Sequence, residues 1–144
     1  MSTATLDPAV RQLVDHRAIE HLLTSLGHWL DGAGGDPADI YDPDVVVHSP
    51  RGEFRGLDEI RARVAPSNDD AGRTQHFFTD VVVEVDGDRA VAHANQLVQF
   101  FLPGTPPHRT SGLRVRYELA RRGDGWRLTG AEHTLAWLVG DLPT

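Results

Sequence analysis

The chain contains no cysteine and no lysine; all 14 of its basic residues are arginine. Disulfides, thiolate metal sites, thiol nucleophiles and lysine Schiff bases are thereby excluded. Aromatic residues are few, at 7%. Long hydrophobic runs are missing as well. Val81-Val82-Val83 is typical of the longest apolar stretches, far short of the roughly 20 residues a membrane span requires. Met1 to Asp7 lacks the basic-then-apolar pattern of a secretory leader, so a cytoplasmic location is the default expectation. With 21 acidic residues against 14 basic ones the net charge is −7, and no basic stripe is laced with aromatics, which makes nucleic acid a poor partner. Arg114, Arg116, Arg121 and Arg122 sit among Glu118 and Asp124 and read as a solvated sheet face.

What is present suffices for one folded domain over residues 1–144, with 40% hydrophobic residues and no repeat or linker. The first eight residues are read as a flexible lead that ends where Asp7-Pro8 starts a helix, a capping aspartate followed by proline at the first helical position. Apolar residues then recur with helical spacing from Val10 through Leu22, Leu23, Leu26 and Trp29 to Leu30. Asp31-Gly32 ends this helix, and Asp36-Pro37 caps a short helical piece reaching Ile40 or Tyr41. A strand over Val45–Ser49, a brief strand over Glu53–Arg55 and a helix over Leu57–Ala65 stopped by Pro66 follow, then a polar loop from Ser67 to Arg73. Beyond it the period changes to two, predicting strands over 75–85, 89–101, 111–122 and 126–138. Asp86-Gly87 and Gly123-Asp124-Gly125 supply tight turns, and Leu102 to Thr110 forms a longer connection. The order predicts an α+β domain, helices packed on one face of a curved sheet.

With Asp86-Gly87 as a two-residue loop, Val85 pairs with Asp88, Glu84 faces Arg89, Asp80 faces His93 and Phe78 faces Asn95. One face then carries His76, Phe78, Asp80, His93, Asn95, Leu97, Gln99 and Phe101, and is the candidate pocket. The other face is apolar, with Phe77, Thr79, Val81, Val83, Val85 and the alanines of the next strand, and suits packing or a subunit contact. Asp31 follows a long helix, whose negative end disfavours another negative charge, so its pKa is expected to rise; an inert helix-ending aspartate is the alternative. His76 reads either as a base or as a buried hydrogen-bonding histidine. The Asp80–His93 pair reads as a cross-strand ion pair or as a catalytic dyad. His48 points into the cavity or to solvent. No HxH or HExxH spacing points to a metal, no glycine-rich loop opens a helix after a strand, and no nucleophile elbow surrounds a serine.

Together, Asp31 after the long first helix, Arg73-Thr74-Gln75-His76-Phe77, Val85-Asp86-Gly87-Asp88-Arg89-Ala90 and Gly125-Trp126-Arg127-Leu128 resemble the SnoaL-like members of the nuclear transport factor two-like superfamily, over nearly the whole chain. Within it the catalytic pattern is similar to that of scytalone dehydratase. The resemblance implies a cone-shaped α+β barrel wrapped around the first helix, an enclosed apolar pocket, a homodimer and no cofactor. It places Asp31 and His76 on two of three proton-shuttling positions. The third position is Phe101, while Leu30 and Ser49 replace tyrosines. An acid–base dehydratase, isomerase or cyclase acting on a hydrophobic, polyketide-like molecule is what it implies, with Asp31 and His76 moving the proton. His93 or Asn95 would steady the developing oxyanion, and Trp29, Phe78, Leu97, Phe101 and Trp137 would line the pocket. A small-ligand binder without catalysis and a protein-interaction module are the rival readings.

Overall fold

The computed structural model describes residues 6–64, 72–123 and 125–140. Helix α1 spans Pro8–Leu30, and the Asp7 side chain accepts from the Ala9 amide at 2.9 Å, which anchors its start. A 3-10 turn at Pro37–Asp39 leads into β1 (Tyr41–Ser49), β2 (Gly52–Arg55) and α2 (Gly56–Arg63). The strands β3 (Arg73–Asp86), β4 (Arg89–Phe101), β5 (Arg109–Arg122) and β6 (Gly125–Gly140) complete the order. The expected helix end at Ala65-Pro66, the loop Ser67 to Ala71 and Asp124 lie outside the described residues. No described helix is long and apolar enough to cross a membrane.

The six strands form one sheet in the order β2-β1-β6-β5-β4-β3. Every neighbour is antiparallel except β1 and β6, which run parallel with Val47 opposite Ala131. The sheet curves around the helices without closing, so among the described residues β2 and β3 are its edge strands. Strand β1 begins four residues earlier than the periodicity indicates, because Tyr41 pairs with Leu128 ahead of an irregular stretch at Asp42-Pro43-Asp44. The core lies between α1, α2 and the inner sheet face, where Ile19, Leu23, Leu26, Ile60, Tyr117 and Leu128 are almost fully enclosed.

The β3–β4 hairpin corrects the expected register. Asp86 pairs with Arg89, so the loop is Gly87-Asp88, with the left-handed φ of 61° on its first residue, Gly87. Glu84 therefore faces Val91 rather than Arg89, and Phe78 faces Gln96 rather than Asn95. A bulge between Thr79 and Val82 adds a second shift, with Asp80 at φ 54°. Asp80 consequently does not face His93, whose partner is Val82. Because side chains alternate faces, these two shifts split the expected mixed face. Thr74, His76, Phe78, Val81, Val83 and Val85 share the inner side with the even-numbered β4 residues, of which Ala90 to Val98 are all buried. Phe77, Thr79 and Val82 share the outer side with Val91, His93, Asn95, Leu97 and Gln99.

Candidate functional site

Asp31 stands one residue past the end of α1, its amide bonded to the Gly27 carbonyl at 3.0 Å. Gly32 follows at φ 76°, the left-handed conformation that lets the chain leave the helix there. The helix end can approach β3 because Gly27 has no side chain; a Cβ at that position would meet the Phe78 ring at 3.3 Å. Asp31 thus reaches the inner face of β3, where three donors converge on its carboxylate. The His76 amide donates to Oδ2 at 2.8 Å, the Thr74 hydroxyl donates to Oδ1 at 3.1 Å, and His76 Nδ1 lies 2.5 Å from Oδ1.

These contacts reverse the expected direction for Asp31. Burial is the largest single influence and raises its pKa, but the ring and amide of His76 and the Thr74 hydroxyl together outweigh it, holding the carboxyl below its ordinary range. Asp31 is an anion at neutral pH and can only accept, so His76 Nδ1 carries the proton in their bond. The two side chains retain 16% and 11% of their surface.

The inner wall beside the dyad contains groups not singled out from the sequence. Val98 is the direct partner of His76 on β4, and Gln96, one step along, is buried with no hydrogen bond to Oε1 among the described residues. On β6, His133 Nε2 lies 3.4 Å from the Tyr117 hydroxyl, and the two rings are T-shaped with centroids 5.7 Å apart. Burial pushes His133 down to about 4; the His48 backbone opposes this and the charge of His76 adds to it. Its Nδ1 lies near the His48 backbone without a well-formed hydrogen bond. Burial also raises the Tyr117 hydroxyl well above its ordinary value, so His133 and Tyr117 are both neutral. His133 was legible in principle, since it stands in phase with Ala131, which faces inward on the same strand.

Of the residues singled out from the sequence, the structure brings Asp31, His76 and Phe78 together. Phe78 faces inward and meets the Tyr117 ring edge-on at 6.4 Å. Trp29 belongs to the core, packed against Tyr41 at 5.9 Å. His48 points outward, 59% exposed and 4.0 Å from Glu53. Asp80 accepts from Asn95 Nδ2 and Thr79 Oγ1, both at 3.0 Å, on the outer side of the sheet. His93, Asn95 and Leu97 lie on that same outer side, which the shifted register dictates. Phe101 pairs with Arg73 and alternates outward, leaving Phe100 as the inward ring. Trp137 covers Gly112 and is half exposed. Two surface depressions, one along Val10, Leu13 and Val14 and one along Glu84, Arg89 and Glu118, are lined by neither Asp31 nor His76.

A long helix cradled by a curved mixed sheet, with one Asp–His pair where the helix end meets the sheet, defines the class of protein. The chain belongs to the SnoaL-like domain family, whose model matches residues 11–131. Among solved structures, a Kribbella flavida protein, Kfla4162, is similar at 22% identity and a TM-score of 0.78, over 89% of this chain and 95% of its own. A candidate scytalone dehydratase from Novosphingobium aromaticivorans is similar at 16% identity and a TM-score of 0.78, over 92% of this chain and 91% of its own. A type 2 hexachlorocyclohexane dehydrochlorinase (LinA) is similar at 16% identity and a TM-score of 0.74, over 94% of this chain and 97% of its own. At these identities the likeness is one of fold. Among curated proteins no sequence matches this chain.

Proposed function

We propose that this protein is a cofactor-independent acid–base enzyme, of dehydratase, isomerase or cyclase type, acting on a hydrophobic small molecule. The observation that carries the reading is the 2.5 Å approach of His76 Nδ1 to an Asp31 carboxylate that also accepts the His76 amide and the Thr74 hydroxyl. Asp31 fixes the ring orientation and tautomer and steadies the imidazolium that forms when Nε2 takes a proton. His76 Nε2 is then the base that removes an acidic C–H or O–H proton and the acid that returns it to the product. Phe78 and Leu113 furnish apolar wall, and Gln96 Oε1 is an acceptor for a substrate hydroxyl.

Positioned general bases contribute roughly 10² to 10⁴ in rate. Turnover of a panel of hydrophobic carbonyl compounds by the wild type, His76→Gln and Asp31→Asn tests the assignment. Loss of turnover with ligand affinity retained supports it, and unchanged turnover in both variants refutes it. Retained binding with no turnover of any compound by the wild type supports the ligand-binder reading instead.

The protein is proposed to act as a homodimer through the outer sheet face, where Phe77, Trp137 and Val139 are 42%, 47% and 64% exposed. Light scattering on the wild type and Trp137→Glu checks this: a dimer mass that falls to that of a monomer in the variant is expected.

A further inference from the structure

Thr74, Phe100 and Arg109 are successive partners across β3, β4 and β5 on the inner face. Thr74 touches Asp31, and the Arg109 guanidinium lies 3.8 Å above the centre of the Phe100 ring. At about 4.8 Å per strand, the Arg109 backbone stands about 10 Å from that of Thr74, and its guanidinium reaches back over Phe100 on the strand between them. The other inward-facing arginine of β5, Arg121, is clamped by Asp15 and Asp88. Arg109 has no such counterpart: among the described residues no carboxylate lies within ion-pair distance of it. Its Nε is buried with no hydrogen-bond acceptor among the described residues. A permanently charged group set over an aromatic ring, with a buried donor that no described residue fills, has the features of an anion site.

We infer that Arg109 is the carboxylate-recognition residue of this site, and that the substrate is a hydrophobic acid. This rests on the acid–base reading and specifies its substrate class. The guanidinium presents paired N–H donors in the plane that a carboxylate accepts. Phe100, over whose ring the guanidinium lies at 3.8 Å, gives that group its support on the inner face. The hydrocarbon part of the ligand then extends along Phe100 and Val98 toward His76, the direct partner of Val98. Gln96 lies on the far side of that position, so the two open polar groups bracket the base.

Calorimetric titration with matched pairs, benzoate with benzamide, 2-naphthoate with 2-naphthamide and octanoate with octanamide, tests the assignment without requiring turnover. The wild type is expected to bind at least one acid about tenfold or more tighter than its amide, the worth of a charged hydrogen bond. Arg109→Gln is expected to abolish that preference while leaving the amide's affinity unchanged. Arg114→Gln, on the outer face, is expected to keep it. Acids and amides bound equally by the wild type, no binding of any pair, or a preference that survives in Arg109→Gln would each overturn the carboxylate assignment. None of these results bears on the dyad, which stands or falls on the turnover of Asp31→Asn and His76→Gln.

Discussion

Asp15 and Asp31 are both largely buried carboxylates, one within α1 and one just past its end, and their partners make them opposites. Asp15 receives two hydrogen bonds from Arg121, each at 2.9 Å, with Trp126 Nε1 at 3.4 Å. Arg121 is itself held by Asp88 at 3.0 Å and stacked on Trp126 at 4.4 Å. The Arg121 hydrogen bonds and charge lower the Asp15 pKa against the opposing effect of burial. Every charge there has a permanent counter-charge, so no proton moves. Asp31 has an imidazole where Asp15 has a guanidinium. A guanidinium keeps its proton and an imidazole can give one up, which is the difference the proposed acid–base role of Asp31 and His76 draws on.

Exchanging the readouts of the two ends is the sharpest way to break this contrast. Asp31→Asn and His76→Gln should reduce turnover by about 10² to 10⁴, and shift the urea midpoint less than any change at Asp15 or Arg121. Arg121→Met removes one partner of a largely buried pair and should lower stability by about 3 kcal/mol or more in urea denaturation, leaving ligand affinity at the dyad intact. Loss of activity in Arg121→Met with stability unchanged would erase the distinction.

Acid sharpens it further through His133. That ring is buried neutral with its pKa depressed to about 4, whereas the unfolded chain takes up a proton at about 6.5. The unfolded state binds more protons between these values, so stability is complete above about pH 6.5 and declines as pH falls toward 4. The loss reaches about 3 kcal/mol and should be absent in His133→Gln. Asp15 and Asp31, both depressed, add their own losses only below about pH 3.8. The smallest effect belongs to Arg116, whose bond to Glu118 at 2.8 Å is exposed; Arg116→Ala should change stability by less than about 0.5 kcal/mol.

Much of the fold was legible because its signals are local. Asp7-Pro8 marks the helix start, Gly32 its end, and the period-two segments from Gln75 onward the long strands. The Asp31–His76 pair was legible through the family resemblance rather than through spacing, since 45 residues separate the two. What failed was register. Gly87-Asp88 turns the hairpin in place of Asp86-Gly87, and the bulge at Asp80 moves the strand a second time, so His93, Asn95 and Leu97 change sides. Neither shift has a signature in the alternation pattern, because valines occupy both phases at Val81-Val82-Val83. Arg109 and Gln96 were invisible for a different reason: what marks them is an unfilled hydrogen bond, which exists only after three strands are aligned.

The Asp80 bulge also bears on how the protein survives in a crowded solution. Strand β3 is 14 residues long and lies at the rim of the sheet, a ready template for pairing with a strand from another molecule. Asp80 interrupts that template near its midpoint with a left-handed residue and a negative charge, and Asn95 and Thr79 hold it in place. Deleting Asp80 would restore an even β edge through Thr79 and Val81, and should convert a dispersed protein into one that forms fibrils on mild heating. The residue that displaced the expected pocket lining is thereby the one that guards the rim against aggregation.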